Sequence, residues 1–463
     1  MKYRIEKDGL GKRKIPENAL YGSNTSRALE NFPFSGKTLA SEPSYVFALA
    51  GIKKSAALAN KSLGVLDSEK CNAIVQACDQ IATGKLNEHL VVPLLEGSGG
   101  TSINMNVNEV ICNRALQIMG KSAGDYDSLH PNDHVNTGCS TNDVIPSAIK
   151  IACFLNMDKL LKNVLLLVNS LKNKQEEFSK VFRLGRTCLQ DAQPMTLGQA
   201  FGGYASVIER CYKNLETQKL KLLCVPLGGT AIGTGLGSTL GFKAAVYEQL
   251  NKHFALNLQA SKNSFDGMQN LDDAQRLSGE LEVLSGAMSK IAKDFIILSS
   301  GPNGGIAEIK LPSVQPGSSI MPGKVNPVIP MSVVQVHQLV HGNHTSISLA
   351  VCDGLLEINH YEMLIAARLF ESIHLISEVS LSFVQLCINN IEADPKRSMN
   401  NLMNSFALAT SLVPKLGYAK VCSLVKESKQ KNGTFLETVI DSGYINSHEV
   451  QMCLEQAINS HSL

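Results

Sequence analysis

The 463-residue chain lacks an excess of charge of either sign: 43 Lys+Arg stand against 41 Asp+Glu, a formal net charge of +2. That removes the electrostatic footprint of a dedicated nucleic-acid binder. No block of about five like charges occurs, which excludes basic arms and acidic tails. The N-terminal stretch MKYRIEKDGLGKRKIP has no apolar core of a secretory signal. No run of about 18 apolar residues exists; even Leu160–Val168 is broken by Lys162 and Asn163. A chain with no membrane segment is expected, and a cytoplasmic one. The 12 cysteines form no C-x-x-C pair and no zinc-like spacing. They read as reduced, mainly buried small hydrophobes, Cys153, Cys211 and Cys387 among them.

Several enzyme signatures are missing as well. Pro226–Gly241 (PLGGTAIGTGLGSTLG) contains no G-x-G-x-x-G in register and follows no convincing strand, so a dinucleotide fold is rejected. Gly317–Lys324 has one residue too many for a phosphate loop, and Val325 stands where Ser or Thr is required. His337, His341 and His344 share a helix face but lack an H-E-x-x-H pattern and a completing ligand, so they read as a polar face and no metal is expected. No G-x-S-x-G elbow is present. No cofactor is implied.

What is present is a globular balance, 44% hydrophobic with 18% charged, long enough for roughly two to four structural units. Apolar residues recur at helical spacing over about 143–182, 199–223, 271–300, 328–351 and 360–391. Helices that long point to an all-α bundle. On 271–300 the stripe Leu277, Leu281, Leu284, Met288, Ile291 and Phe295 is accompanied by small residues elsewhere, so partners on several sides, and oligomerisation, are expected. The segmentation read here is a mainly helical N-terminal domain at 1–139, a central long-helix bundle at 140–393 and a small helical domain at 394–463.

Three loops stand out between the helices: Gly97–Asn108 (GSGGTSINMNVN), His130–Asp143 (HPNDHVNTGCSTND) and Gly317–Pro327 (GSSIMPGKVNP). All are dense in hydroxyls, amides and backbone donors and poor in acids. One such loop is most simply a capped helix end. Three together suit a small anionic ligand, whose carboxylates hydroxyl and amide donors can wrap while one lysine supplies formal charge.

GSSIMPGKVNP resembles the signature loop of the aspartase/fumarase superfamily, enzymes that eliminate a group from a succinyl skeleton to release fumarate. Tyr21-Gly22…Thr25-x-Arg27-Ala28-x-Glu30-Asn31-Phe32, TSINMNVNEV, STND, GRTCLQDAQPMTLGQ (Gly185–Gln199), LGGTAIGTG and SSGPNGGIAEIKLP are similar to the family's other blocks, in the same order. The resemblance implies a bundle of that type, a homotetramer with sites shared between subunits, and a small dicarboxylate as substrate. It implies Ser318 as the catalytic base, acting as an oxyanion, with Thr101, Ser140, Thr141 and Ser319 holding the carboxylate next to the departing proton. Lys324 and Asn326, assisted by Thr187, are implied for the other carboxylate, and Asn142 lies near the leaving amino group. Gly317 and Gly323 are expected to let the loop move over substrate.

Two departures bear on the reaction. Cys188, counted here with the substrate-binding residues, occupies the histidine position of the fumarase pattern GRTHLQDA, and Met331 the position of that histidine's glutamate partner. Losing both amounts to apolar repacking. The histidine is implicated in activating water, whereas ammonium can depart as ammonia with less acid assistance. The ammonia-eliminating branch is therefore the leading implication, with L-aspartate giving fumarate. Fumarate hydration, a substituted aspartate as substrate, and a weakened dicarboxylate-binding relative stay open. Thr137, Cys139, Asn303 and Ser98 also depart from the usual pattern.

Overall fold

The computed structural model describes residues 2–34, 36–431 and 433–459. The fold is all-α in class. The five long segments become helices at Thr141–Glu177, Leu197–Lys221, Asp272–Leu298, Val328–Cys352 and Glu362–Leu386. Their driving force is the apolar stripe: Leu277, Leu281, Leu284, Met288, Ile291 and Phe295 are all buried. Each such side chain contributes roughly 1.5–3 kcal/mol by leaving water. No helix among the described residues is long and apolar enough to cross a membrane.

By contact density the chain forms two units. The first takes Met1–Leu161, Lys213–Val283 and Gln338–Ile376. It opens with a hairpin of strands Tyr3–Asp8 and Gly11–Pro16 and continues into helices Ser23–Asn31, Pro43–Ser62, Ser68–Ala82 and Thr101–Ile118. The buried Glu109 carboxylate closes the entry to the Ser23–Asn31 helix. It accepts from the amides of Gly22, Asn24 and Thr25 and from Thr25 Oγ1, favourable placement for an anion at a helix N-terminus. A Cβ at Gly22 would lie 2.6 Å from Glu6 Oε2 and 2.8 Å from Glu109 Cδ. That close approach explains the glycine in the N-terminal block. A two-residue strand, Cys224–Val225, does precede the glycine-rich segment and pairs in parallel with Gln259–Ala260. The helix that follows begins only at Phe242.

The second unit takes Lys162–Tyr212, Leu284–His337 and Ser377–Leu463. An aromatic chain fills part of its core: ring centroids are 5.3 Å apart for Phe178–Phe201, 5.4 Å for Phe201–Phe295 and 5.6 Å for Phe295–Phe383. The short C-terminal helices from Pro395 onward enclose Leu402, Leu408, Leu412, Phe435, Val439 and Val450. Leu184 inserts into that cluster from a hairpin of strands Phe182–Thr187 and Gln190–Thr196.

Candidate active site

In the first unit, two helix N-termini carry the residues singled out from the sequence. Thr101 is the first residue of Thr101–Ile118 and Thr141 the first of Thr141–Glu177. Asn104 Nδ2, one turn into the former helix, donates to Thr141 Oγ1 at 3.1 Å, which brings the two ends together. Helix N-termini present unpaired N–H groups and a partial positive charge, so their convergence suits an anion. Thr101 is exposed, and Ser140, Thr141 and Asn142 are half-buried.

The loop leading to Thr101 is held by a carboxylate. Glu96, buried, accepts from the Ser98 amide and, at 2.6 Å, from the Gly100 amide. Gly100 has φ +86°, and a Cβ there would meet Ile145 Cγ1 at 2.7 Å. Only glycine fits.

Asp143 organises the other loop. Its Oδ1 accepts from the Ser140 amide at 2.9 Å; its Oδ2 accepts from Gly228 at 3.0 Å and Thr230 at 2.9 Å. Burial pushes the Asp143 carboxyl up to about 6, against the lowering effect of these N–H groups and of Lys53. Asn142 Nδ2 donates to Ala231 O at 2.8 Å, which leaves Asn142 Oδ1 as an acceptor. The segment Pro226–Gly241, rejected as a nucleotide loop, is thus tied to the STND loop. Sequence reasoning missed this because the contact spans 85 residues or more.

In the second unit, Gly317–Asn326 forms a closed strap. The Gly317 amide donates to Lys324 O at 2.8 Å, and Asn326 Nδ2 donates to Gly317 O at 2.7 Å. Within it, Ser318 Oγ accepts from two backbone amides, Ile320 at 3.2 Å and Met321 at 3.1 Å. These N–H groups are aimed at the oxygen where negative charge would reside. Gly317 serves through close approach: a Cβ would lie 2.7 Å from Lys324 O and 2.9 Å from Asn326 N. Gly323, at φ +81°, supplies the left-handed turn. Ser319 and Lys324 are exposed, Ser318 and Asn326 half-buried.

Thr187 and Cys188 lie on the separate Phe182–Thr196 hairpin. Cys188 (φ 52°) and Leu189 (φ 60°) form its two-residue turn, with both φ values positive. Such turns favour Asn and Gly, so two side-chain-bearing residues there store strain. Glu308, fully buried, anchors the hairpin by accepting from Arg183 Nε and Arg186 Nη2, each at 2.8 Å. Both Cys188 and Met331 are exposed in the chain. The structure therefore groups Thr101, Ser140, Thr141 and Asn142 in one unit, and Ser318, Ser319, Lys324, Asn326, Thr187 and Cys188 in the other.

The three histidines each find an oxygen on the Asp272–Leu298 helix. His337 Nδ1 is 3.1 Å from Ser285 Oγ, His341 Nδ1 2.5 Å from Glu282 Oε1 and His344 Nδ1 3.0 Å from Ser278 Oγ. Among the described residues no group of three or more His, Cys, Asp or Glu is placed to hold a metal ion.

A family model described as Lyase matches residues 11–342. An aspartate ammonia-lyase from a Bacillus species is 39% identical over 99% of this chain and 97% of its own length. A mitochondrial fumarate hydratase from Saccharomyces cerevisiae is 38% identical over 96% of this chain and 92% of its own. Among solved structures, a Brucella melitensis protein described as fumarate lyase:delta crystallin, bound to cobalt, superposes with a TM-score of 0.95 at 40% identity, covering 98% of each chain.

Proposed function

The chain belongs to the lyase family, within its fumarase/aspartase superfamily, and from that premise we propose that it eliminates ammonia from L-aspartate to give fumarate. The observation that carries the chemistry is the pair of amides, Ile320 and Met321, donating to Ser318 Oγ. A neutral serine is a weak base. Two N–H donors on a charged oxygen, each worth roughly 1.5–3 kcal/mol, lower the cost of forming the oxyanion.

In this reading Ser318 Oγ removes a proton from the carbon next to one carboxylate. The electron pair first moves onto that carboxylate as an enediolate, held by Thr101, Ser140, Thr141 and Ser319 beside two helix N-termini. It then returns to form the carbon–carbon double bond as the adjacent C–N bond breaks and neutral ammonia departs. Lys324 supplies the formal positive charge for the second carboxylate, with Asn326 and Thr187 as neutral donors. Cys188 lines the substrate at the hairpin tip.

Asn142 is assigned to the leaving ammonium. With its amide nitrogen committed to Ala231 O, it presents an oxygen, the acceptor an ammonium needs. Fumarate hydration is the second reading, favoured by the 38% identity to the yeast hydratase. The site is proposed to be shared between subunits of a cytoplasmic homotetramer. Exposed Leu165, Val283, Leu339, Leu349 and Leu386 on the long helices support burial against other subunits.

The test offers L-aspartate, L-malate and argininosuccinate in parallel and follows fumarate by its ultraviolet absorbance. L-aspartate is expected to be turned over fastest. Faster turnover of malate decides for the hydratase, and faster turnover of argininosuccinate for a substituted-aspartate lyase. Succinate binding without turnover of any of the three leaves a binding protein only.

A further inference from the structure

Lys53 is completely buried in the Pro43–Ser62 helix, a position lysine rarely takes without a structural demand. Its neighbour Lys54 lies on the outer side and pairs with Asp79 at 2.6 Å. Lys53 Nζ instead donates to Asn136 Oδ1 at 2.6 Å. An ammonium can only donate, so Asn136 must present its oxygen to Lys53. The opposite end of that amide, Nδ2, donates to Cys139 O at 3.1 Å.

The orientation then propagates. Asn136 Oδ1 also faces Asn108 Nδ2 at 3.1 Å and Asn104 Nδ2 at 3.3 Å, so both of those amides must turn their nitrogens inward. The same Asn104 Nδ2 donates to Thr141 Oγ1 at 3.1 Å. A hydroxyl whose lone pair is occupied by an N–H must send its own proton elsewhere. For the half-buried Thr141 that means outward, to whatever sits at the two helix N-termini.

The molecule keeps this arrangement at a cost. Among the described residues, Asn104 Oδ1 and Asn108 Oδ1 are buried with no hydrogen-bond partner. A buried acceptor left unmade costs about 1–3 kcal/mol. Reversing the Asn104 amide would turn its oxygen toward Thr141 and draw the hydroxyl proton inward. The orphaned oxygens therefore mark an orientation imposed through Asn136, whose amide Lys53 Nζ and the Cys139 carbonyl fix from its two ends.

We propose that Lys53 is a positioning residue which, through Asn136 and Asn104, makes the Thr141 hydroxyl an obligatory donor to a substrate carboxylate. This rests on the reading that Thr141 holds such a carboxylate. The test measures succinate affinity by calorimetry for wild type, Lys53→Met, Thr141→Val, the double variant and Asn104→Asp, with circular dichroism reporting the fold. Each single variant is expected to weaken binding about tenfold, one charge-assisted hydrogen bond. The double variant is expected to be no weaker than Thr141→Val, because both changes remove the same donor.

Asn104→Asp is close to isosteric, keeps the Thr141 hydroxyl, and forces its proton inward. It is expected to bind as weakly as Thr141→Val, and it decides the matter if Lys53→Met does not fold. Additive losses of about a hundredfold in the double variant overturn the relay, as does wild-type affinity in Asn104→Asp. Succinate binding with the predicted coupling but no turnover of L-aspartate sinks the ammonia-lyase reading alone. No succinate binding by the wild type overturns both.

Discussion

Replacing Gly317 by alanine places a methyl carbon 2.7 Å from Lys324 O, 2.9 Å from Asn326 N and 3.0 Å from Lys324 C. All three are backbone atoms, so no side chain can swing away and the strap itself must open. Opening it disrupts the Gly317–Lys324 and Asn326–Gly317 hydrogen bonds, each worth about 0.5–1.5 kcal/mol. The next residue is Ser318, whose oxygen depends on amides only two and three positions further on. A displacement of about 1 Å at a reacting group costs on the order of 10²-fold in rate. Gly317→Ala is therefore expected to lower kcat roughly a hundredfold. The strap from Ser319 to Val325 is exposed, so the melting temperature should move by little. Initial rates of fumarate formation beside a thermal melt check both. A variant within threefold of wild type would refute the claim that the strap's closure sets the Ser318 geometry.

Removing the Glu308 carboxylate by Glu308→Ala leaves buried Arg183 and its neighbour Arg186 without their shared counter-charge, at a cost of roughly 3–5 kcal/mol, visible in urea unfolding. Asp143 gives a pH signature of definite sign. Its folded pKa of about 6 lies above the ordinary 3.8, so folding takes up a proton between those values. The group's contribution to stability therefore falls by about 3 kcal/mol as pH rises through that window. Asp143→Asn lacks this component, and parallel pH–stability curves for the two proteins would refute it. Sedimentation should give the mass of four chains, and Leu349→Arg, at a side chain 64% exposed in the chain, should yield smaller species.

Much of the fold was legible because long amphipathic helices advertise themselves. The Val328–Cys352 helix begins where the apolar period begins and ends one residue beyond it. The Phe182–Thr196 hairpin was not legible. Its strands bury Leu184 in a cluster built from residues beyond 400 and pair Arg183 and Arg186 with Glu308, so local pattern carries no trace of its partners. Ser318, Lys324 and Asn326 stand out as candidates because one contiguous segment, GSSIMPGKVNP, holds all three and carries the family resemblance. Lys53 could not, since in the string Lys53-Lys54 only the helix face separates a buried donor from a surface ion pair. The link between the glycine-rich Pro226–Gly241 segment and Asp143 was not legible either, because backbone amides make it through space.

The role proposed for Ser318, as the base in an elimination that releases ammonia, stands at the centre of the proposed function. Its most direct test is the stoichiometry of fumarate and ammonia formed from L-aspartate by wild type and Ser318→Ala, each verified to be folded. Equimolar fumarate and ammonia from the wild type, with neither product from the variant, is the predicted result. Undiminished release by Ser318→Ala, or no ammonia from the wild type, would contradict it.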